Sequence, residues 1–424
     1  MNPFLHGNPV TTHNFLGRQD ELNRIKGRVI TRQSTAIVSE PRTGKTSVLL
    51  YLSAPENQTQ LYNDTAEQLL FSYLDALTFG VQINQADFWI LVLAPLYTLH
   101  IEPNPESKLA SLYQKCLEGG FSNSILGVLL DHLQTQNLHV VLLVDEFDAM
   151  LSYSNLCGSE FFGGLRSLAS LKPAFTLVIA SRQSVDTLNK NLLNAGSPYL
   201  NIFHEYHLLP FTDDEVEILL NRANGRFSPD DKSFIKHAAG NHPYLLQAVA
   251  AELWDCYEDD NTTNPDQRRH RAGQALYNVV ARTLGNTWAA WSPHQRMALT
   301  LVALQQSPQL LGKRLFNHKA LLTIMPDLTK ELEYLETHGY IKNTATTSTP
   351  QWRILPAAFH WWLADELLRT VRNEADFAQW LRAQEFDGLL TKKEQQLLMG
   401  AGKSLLDTFK GGLPDLIKSW VTSD

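Results

Sequence analysis

The sequence predicts an α/β domain built on a parallel sheet with helices on both faces, and three observations carry that expectation. Short apolar runs at residues 35–38, 70–74, 140–144 and 176–180 alternate with segments of helical periodicity. Such runs read as strands buried on both faces, the habit of parallel sheets whose crossovers are helical. The first run leads into AIVSEPRTGKTSVLL, which reads as strand, tight polar loop and helix start. The third run ends on two carboxylates in HVVLLVDEFDAM.

Residues 1–13 read as an irregular arm. NFLGRQDELNRIKGRVI then has helical periodicity after Gly17, with Leu22, Ile25 and Val29 on one face. The strand at 35–38 follows, then the loop, then a helix from Lys45 to about Leu52. The α/β domain is expected over residues 14–210. Composition shifts at PFTDDEVEILL, where Thr212 and Glu215 form a capping-box pattern. Helices are read at 213–222, 229–239 and 242–257, the polar run EDDNTTNPDQ as a linker, and 268–291 as mostly helix, giving a helical region over 211–290. Residues 291–370 give three helices and a small hairpin: LTKELEYLETHGYIKN is a helix stopped by Gly339, TATTST the tip and QWRIL the second strand. A helical module over 371–424, clearest in DFAQWLRAQEFDGLLTKKEQQLL, closes the chain.

At 424 residues the chain exceeds one ordinary core, so two to four domains are expected. The longest apolar run, FWILVLAPLYTL, is broken by Pro95 and falls short of the roughly 18 residues a membrane span needs. MNPFLHGNPV lacks the pattern of a secretion signal. Cys116, Cys157 and Cys256 are far apart, which fits a reducing cytoplasm and buried thiols rather than disulfides or zinc. A net charge of −8 implies no dominant nucleic-acid surface, though a local basic patch stays open.

SEPRTGKTS matches the phosphate-loop pattern G-x-x-x-x-G-K-[ST] except that Ser39 stands at the first glycine. In such a loop backbone N–H groups curl around phosphates at a helix N-terminus. Gly44 keeps a Cβ away from the phosphates, Lys45 would bridge the β- and γ-phosphates, and Thr46 would coordinate Mg²⁺. Serine at 39 can turn out of the strand at modest cost. The competing reading is a chance Gly-Lys-Thr. Asp145 would hold Mg²⁺ through water and Glu146 would polarise the attacking water, against the plainer alternative of two solvated acids at an exposed strand end. In FTLVIASRQS, Arg182 ends a strand where it could reach a γ-phosphate; the alternative is a surface arginine. Arg166 is a weaker candidate for contact with a neighbouring subunit's nucleotide.

With these motifs in this order the chain resembles the AAA+-related ATPases and, within them, the STAND signalling and archaeal-type ATPases. The resemblance covers about residues 14–368. FLGRQDEL resembles the family segment whose residues, here Phe15, Leu16, Gly17 and Arg18, line the adenine side. SEPRTGKTS resembles Walker A, placing Glu40, Pro41, Arg42, Thr43, Gly44, Lys45, Thr46 and Ser47 at the nucleotide, and VVLLVDEFD resembles Walker B. VIASR is similar to the sensor-1 strand, with Arg182 as its arginine, and GNHPYLLQ to a lid motif bringing Gly240 and Pro243, with His242 adjacent, near the nucleotide. The resemblance implies a P-loop NTPase fold with a five-stranded parallel sheet, a helical lid, a winged-helix domain and, outside it, the small C-terminal helical module. It also implies ATP or ADP with Mg²⁺, catalysis by Lys45, Glu146 and Arg182, and Thr46 and Asp145 at the metal. The lack of a clear arginine-finger motif fits the STAND type and slow, switch-like turnover.

A winged helix often binds DNA, but the expected recognition helix carries Asp327, Glu331, Glu333 and Glu336 against Lys330, which repels a phosphate backbone. Lys313, Arg314 and Lys319 could touch phosphate, although a solvated helix face is the simpler reading. Phe359, Trp361 and Trp362 read as core. The tail aromatics Phe377, Trp380 and Phe386, with Leu389, Leu390, Leu397 and Leu398, read as a docked bundle or as a docking surface for an effector. The resemblance therefore implies an ATP-controlled switch that governs oligomerisation or a separate effector or sensor protein, with bacterial stress or antiviral defence as the setting by family analogy. The alternative is a DNA-binding AAA+ regulator akin to origin-recognition or transposition ATPases, and a third reading is a scaffold with a dead site.

Overall fold

Five parallel strands form the sheet that organises the first half of the chain: β1 (Thr35–Val38), β2 (Leu69–Asp75), β3 (His139–Asp145), β4 (Phe175–Ser181) and β5 (His204–His207). Their order is β2-β3-β4-β1-β5, with every pair parallel. The computed structural model describes residues 1–156, 158–192, 199–259, 264–310, 328–345, 351–371, 374–386, 388–396, 398 and 417. Cys157, Lys313, Arg314, Lys319, Asp327, Leu397 and most of the hairpin tip lie outside them. Pro9–Leu208 forms a sheet unit, and Met1–Asn8 with Leu209–Asp424 forms a helical unit.

In the sheet unit the strand alternation feeds two separate cores. Val141 and Leu143 of β3, Ile37 of β1 and Val178 and Ala180 of β4 pack with helices α1 (Gln19–Ile30), α2 (Lys45–Ser53) and α3 (Pro55–Tyr62). Val140, Leu142, Val144, Ala36, Val38, Leu177 and Ile179 face the other way, against helices that include Gln85–Val92, Asn123–Thr135 and Ser159–Leu171. Successive side chains in a strand point to opposite faces, so a strand apolar throughout needs cover on both. The strand β5 was not legible as an apolar run: HEYH is polar and only partly covered, as suits an edge strand that, among the described residues, pairs with β1.

The helical unit runs through Asp213–Leu220, Pro229–Ala239, Pro243–Glu258, Pro265–Ala290 and Pro293–Leu310. Thr212 and Glu215 form the capping box their spacing suggests. The linker read into EDDNTTNPDQ ends sooner than expected, because the Asn264 side chain accepts from Asp266 N and Gln267 N and starts a helix at Pro265. Thr329–Thr337, the antiparallel pair β6 (Ile341–Asn343) and β7 (Trp352–Ile354), and the helix Ala357–Thr370 give the winged-helix-like part. Phe359 and Trp361 are fully buried there, and Trp291 packs against Tyr340 and Phe359. After the helix Glu374–Ala383, Gln384 accepts hydrogen bonds from Trp288 Nε1 at 2.9 Å and Arg296 Nη1 at 3.1 Å, and Phe377, Trp380 and Phe386 are buried.

The N-terminal segment is more ordered than an arm. Phe4 is buried and stacks on Phe227 with Trp254 edge-on, Asn2 Nδ2 donates to Ala251 O, and Leu5 N donates to Gln247. No described helix is long and apolar enough to cross a membrane.

Candidate nucleotide site

Parallel strands put all their carboxyl ends at one edge of the sheet, where α/β folds place ligands. The loop after β1, the acids after β3 and the arginine after β4 therefore share that edge. The register explains the grouping, since Val38 pairs with Ser181 and Val144 with Ile179.

The loop answers the question of Ser39. Position 39 lacks the left-handed backbone that would demand glycine; that duty falls on Arg42 (φ 65°) and Gly44 (φ 102°). The buried Ser39 hydroxyl lies 2.5 Å from the Thr43 hydroxyl, and Thr43 Oγ1 donates to Glu40 O at 2.9 Å. Thr43 has one hydroxyl hydrogen, so Ser39 is the donor to Thr43. Serine thus staples the loop across its own turn. Buried Arg18 braces the same loop from outside: Nη2 donates to Thr43 O at 3.2 Å while Nη1 pairs with Glu21 at 3.1 Å. Phe15 stacks on Tyr51 of α2 with ring centroids 4.3 Å apart. Leu16 is half-buried, and Gly17 turns the chain at φ 71°.

Gly44 is the N-cap of α2, so the N–H groups that open this helix face the loop. Glu40 and Pro41 are half-buried, Arg42 is exposed and Ser47 is buried, its hydroxyl accepting from Val10 N at 3.1 Å. Lys45 is buried, and Nζ donates to Ser39 O at 2.7 Å and Glu40 O at 3.1 Å. Burial lowers its pKa, against the pull of Glu146 and Asp145.

Thr46 Oγ1 donates to Asp145 Oδ2 at 2.6 Å, joining residues 99 positions apart. Asp145 is buried, and its Oδ1 accepts from Glu146 N at 3.0 Å. Tyr73 of β2 donates its hydroxyl to Asp145 Oδ2 at 3.2 Å. Burial and then the charge of Asp145 raise the Tyr73 pKa, so the phenol stays protonated and remains a donor. Glu146 sits in the left-handed region at φ 48°, the kind of strained backbone held in place at working sites. Its Oε2 accepts from Arg182 Nε at 2.9 Å and Nη2 at 2.6 Å. Burial opposes the charge on Arg182, but its hydrogen bond to Glu146 and the charges of Glu146, Asp148 and Asp145 raise its pKa overall. Asp148 Oδ1 accepts from Arg182 N at 3.3 Å and Ser181 Oγ at 3.4 Å.

The sheet unit thus brings together Lys45, Thr46, Asp145, Glu146 and Arg182. Arg166 lies in the helix Ser159–Leu171. Pro243 opens the helix Pro243–Glu258 in the helical unit. Gly240 has a local reason to be glycine: at φ 56°, a Cβ there would stand 3.4 Å from the backbone N of Pro356. Three features escaped sequence reading. Asp148 could have been found two residues after Glu146, whereas Tyr73 and the Ser39–Thr43 staple depend on register and loop closure.

Among the described residues, no group of three His, Cys, Asp or Glu side chains could hold a metal. Thr46 and Asp145 nonetheless supply hydroxyl and carboxylate oxygens side by side. Mg²⁺ takes such a set when substrate phosphates and water complete its shell, so the residues fit that ion.

The strand order, the loop after β1 and the acid pair after β3 define a P-loop NTPase fold. Its sheet order, with helical and winged-helix-like elements after it, is of the AAA+ kind. No family model and no curated protein matches the sequence. Solved structures that it resembles include a Walker-type ATPase of Pyrococcus abyssi at 14% identity and TM-score 0.49, covering 86% of this chain and 99% of that one. Cdc6p from Pyrobaculum aerophilum gives 14% identity and TM-score 0.42, over 85% of this chain and 97% of that one. The Aeropyrum pernix ORC2 protein gives 16% identity and TM-score 0.44, over 80% and 88%. At such values the fold rests on the strand order and the loop, not on the likeness.

Proposed function

We propose that this chain binds ATP with Mg²⁺ and hydrolyses it as a regulatory switch of the AAA+ kind. One observation carries the proposal: the loop's Thr46 meets the buried Asp145 of β3 at 2.6 Å, at the strand edge where Lys45 and Arg182 supply positive charge. An aspartate buried there needs cationic company, and a phosphate loop with its metal provides it.

The loop N–H groups and Lys45 would bind the phosphates, Lys45 having a third N–H beyond the two given to loop carbonyls. Thr46 and Asp145 would hold Mg²⁺, which supplies charge neutralisation between the β- and γ-phosphates. Glu146 would orient and deprotonate the attacking water. Arg182 holds Glu146 through Oε2 and keeps donors to offer a terminal phosphate. Phe15, Arg18 and the loop residues 40–47 would frame the nucleotide, with Pro243 as a contact from the helical unit.

The test is nucleotide affinity and turnover in Lys45→Ala and Glu146→Gln. Loss of affinity in the first, with retained affinity and lost turnover in the second, supports the reading. Unchanged affinity in Lys45→Ala would sink it, and tightly bound nucleotide without turnover in the wild type would make the protein a scaffold.

What the switch controls has two finer readings. One is a DNA-acting regulator; among the similar structures, RuvB of Thermotoga maritima is named as a Holliday junction branch migration motor. The other is a STAND-type signalling switch that assembles with itself or engages a separate effector in stress or antiviral defence. A specific observation weighs against DNA contact by one element: the helix Thr329–Thr337 exposes Glu333 and Glu336 beside a single Lys330. Salt-sensitive, ATP-dependent retention of duplex DNA decides between the two readings.

A further inference from the structure

We infer that Tyr73 is a positioning residue for the metal site, holding the Asp145 carboxylate in the orientation that Mg²⁺ requires. The inference rests on the ATP–Mg²⁺ reading above.

Tyr73 pairs in register with Leu143, two residues before Asp145, and paired residues of parallel strands point to the same face. Its ring packs against the core that α2 covers, and its hydroxyl reaches along that face to Asp145. Asp145 then has three donors: Glu146 N on Oδ1, and Thr46 Oγ1 and Tyr73 Oη on Oδ2. They are not equivalent. Thr46 is itself a proposed metal ligand, so its hydroxyl must answer to the metal. Glu146 N is main chain and fixes only Oδ1. Tyr73 is the side-chain donor that can keep its bond to Oδ2 while Thr46 faces the ion.

Orientation matters for this metal because Mg²⁺ demands near-ideal octahedral geometry, so a carboxylate that holds it through a bound water must present its oxygen at a fixed place. Groups that hold a ligand carboxylate in place typically change metal affinity by about 10- to 100-fold when removed. A hydrogen bond to an ionised carboxylate is also of the stronger, charge-assisted kind.

Tyr73→Phe removes one oxygen and keeps the ring. Calorimetric ATP affinity is measured with Mg²⁺ and with EDTA for the wild type, Tyr73→Phe and Tyr62→Phe. Tyr62 lies on the same face and gives its hydroxyl to Leu52 O, away from Asp145. The expected result is that Tyr73→Phe matches the wild type in EDTA, loses about tenfold of the Mg²⁺-dependent gain and needs more Mg²⁺ for half-maximal turnover. Tyr62→Phe keeps the full gain. An equal Mg²⁺ gain in wild type and Tyr73→Phe overturns the inference alone, and so does an equal loss in Tyr62→Phe, which would mean general loosening of that face. A wild type without any Mg²⁺ gain overturns the metal role of Asp145, and the inference with it.

Discussion

Two buried carboxylates, Asp231 of the helical unit and Asp145 of the sheet unit, are held in opposite ways. In the helical unit, Asp231 is 1% exposed, and its partners are all built in. Its Oδ1 accepts from Arg269, and its Oδ2 accepts from Ser228 N, Ser228 Oγ and Tyr257. This joins Pro229–Ala239 to Pro243–Glu258 and Pro265–Ala290. Tyr277 ties to Asp365 in the same manner. In the sheet unit, buried Lys45 has neutral loop carbonyls as its hydrogen-bond partners, and Asp145 has hydroxyls and one backbone N–H. Those contacts are replaceable, and they gather at strand ends. Burial by itself therefore does not mark a working charge here; replaceable partners at the sheet edge do.

The largest expected effect sharpens the sheet side of this contrast. Glu146→Gln should lower turnover about 10²- to 10⁴-fold with ATP affinity nearly unchanged, because an amide cannot take the proton. Measured single-turnover rates check it, and a normal rate would remove Glu146 from its role.

Next comes a paired comparison. Arg269→Met strands a buried carboxylate and should cost about 3–5 kcal/mol by denaturant titration. Lys45→Ala should cost little stability or even raise it, since burial penalises this ammonium, while ATP affinity falls at least about tenfold. The reverse pattern, a neutral Arg269→Met beside an unstable Lys45→Ala, breaks the comparison.

Acid should strike the helical unit harder. Burial drives His360 down to about 3 and His237 down to about 4, while the sheet unit has His139, also near 4. Each is held below its ordinary value of 6.5, so the unfolded chain binds more protons between the two values. The stability from keeping these rings neutral is present above about pH 6.5 and lost as pH falls towards 4. Shifts of this size amount at most to about 3 kcal/mol for His237 and His139 and about 5 kcal/mol for His360. Melting curves at pH 7.5 and 5 should separate, and His360→Phe should narrow that separation. Equal melting at both pH values would contradict it.

The smallest effect concerns the loop. Ser39→Gly restores the familiar pattern yet removes the staple to Thr43, and should weaken ATP binding a few-fold, about 1 kcal/mol. Tighter binding would show that the hydroxyl plays no part.

Much of this was legible in the chain itself. β1, β3 and β4 announce themselves because a strand covered on both faces must be apolar throughout. The order of Gly44-Lys45-Thr46, Asp145-Glu146 and Arg182 was readable because each stands just beyond such a strand. Helix starts at Thr212 and Asn264 depend on neighbours within three residues, although the second was read too late. Tertiary structure alone decided which strands are neighbours, that polar HEYH closes the sheet, and that Phe4 is buried core. It also decided that Arg18 braces Thr43, that Arg182 grips Glu146 and that Tyr73 holds Asp145. Local pattern reaches as far as one turn or one strand. Contacts between residues tens of positions apart follow from register and loop closure, which no local spacing encodes.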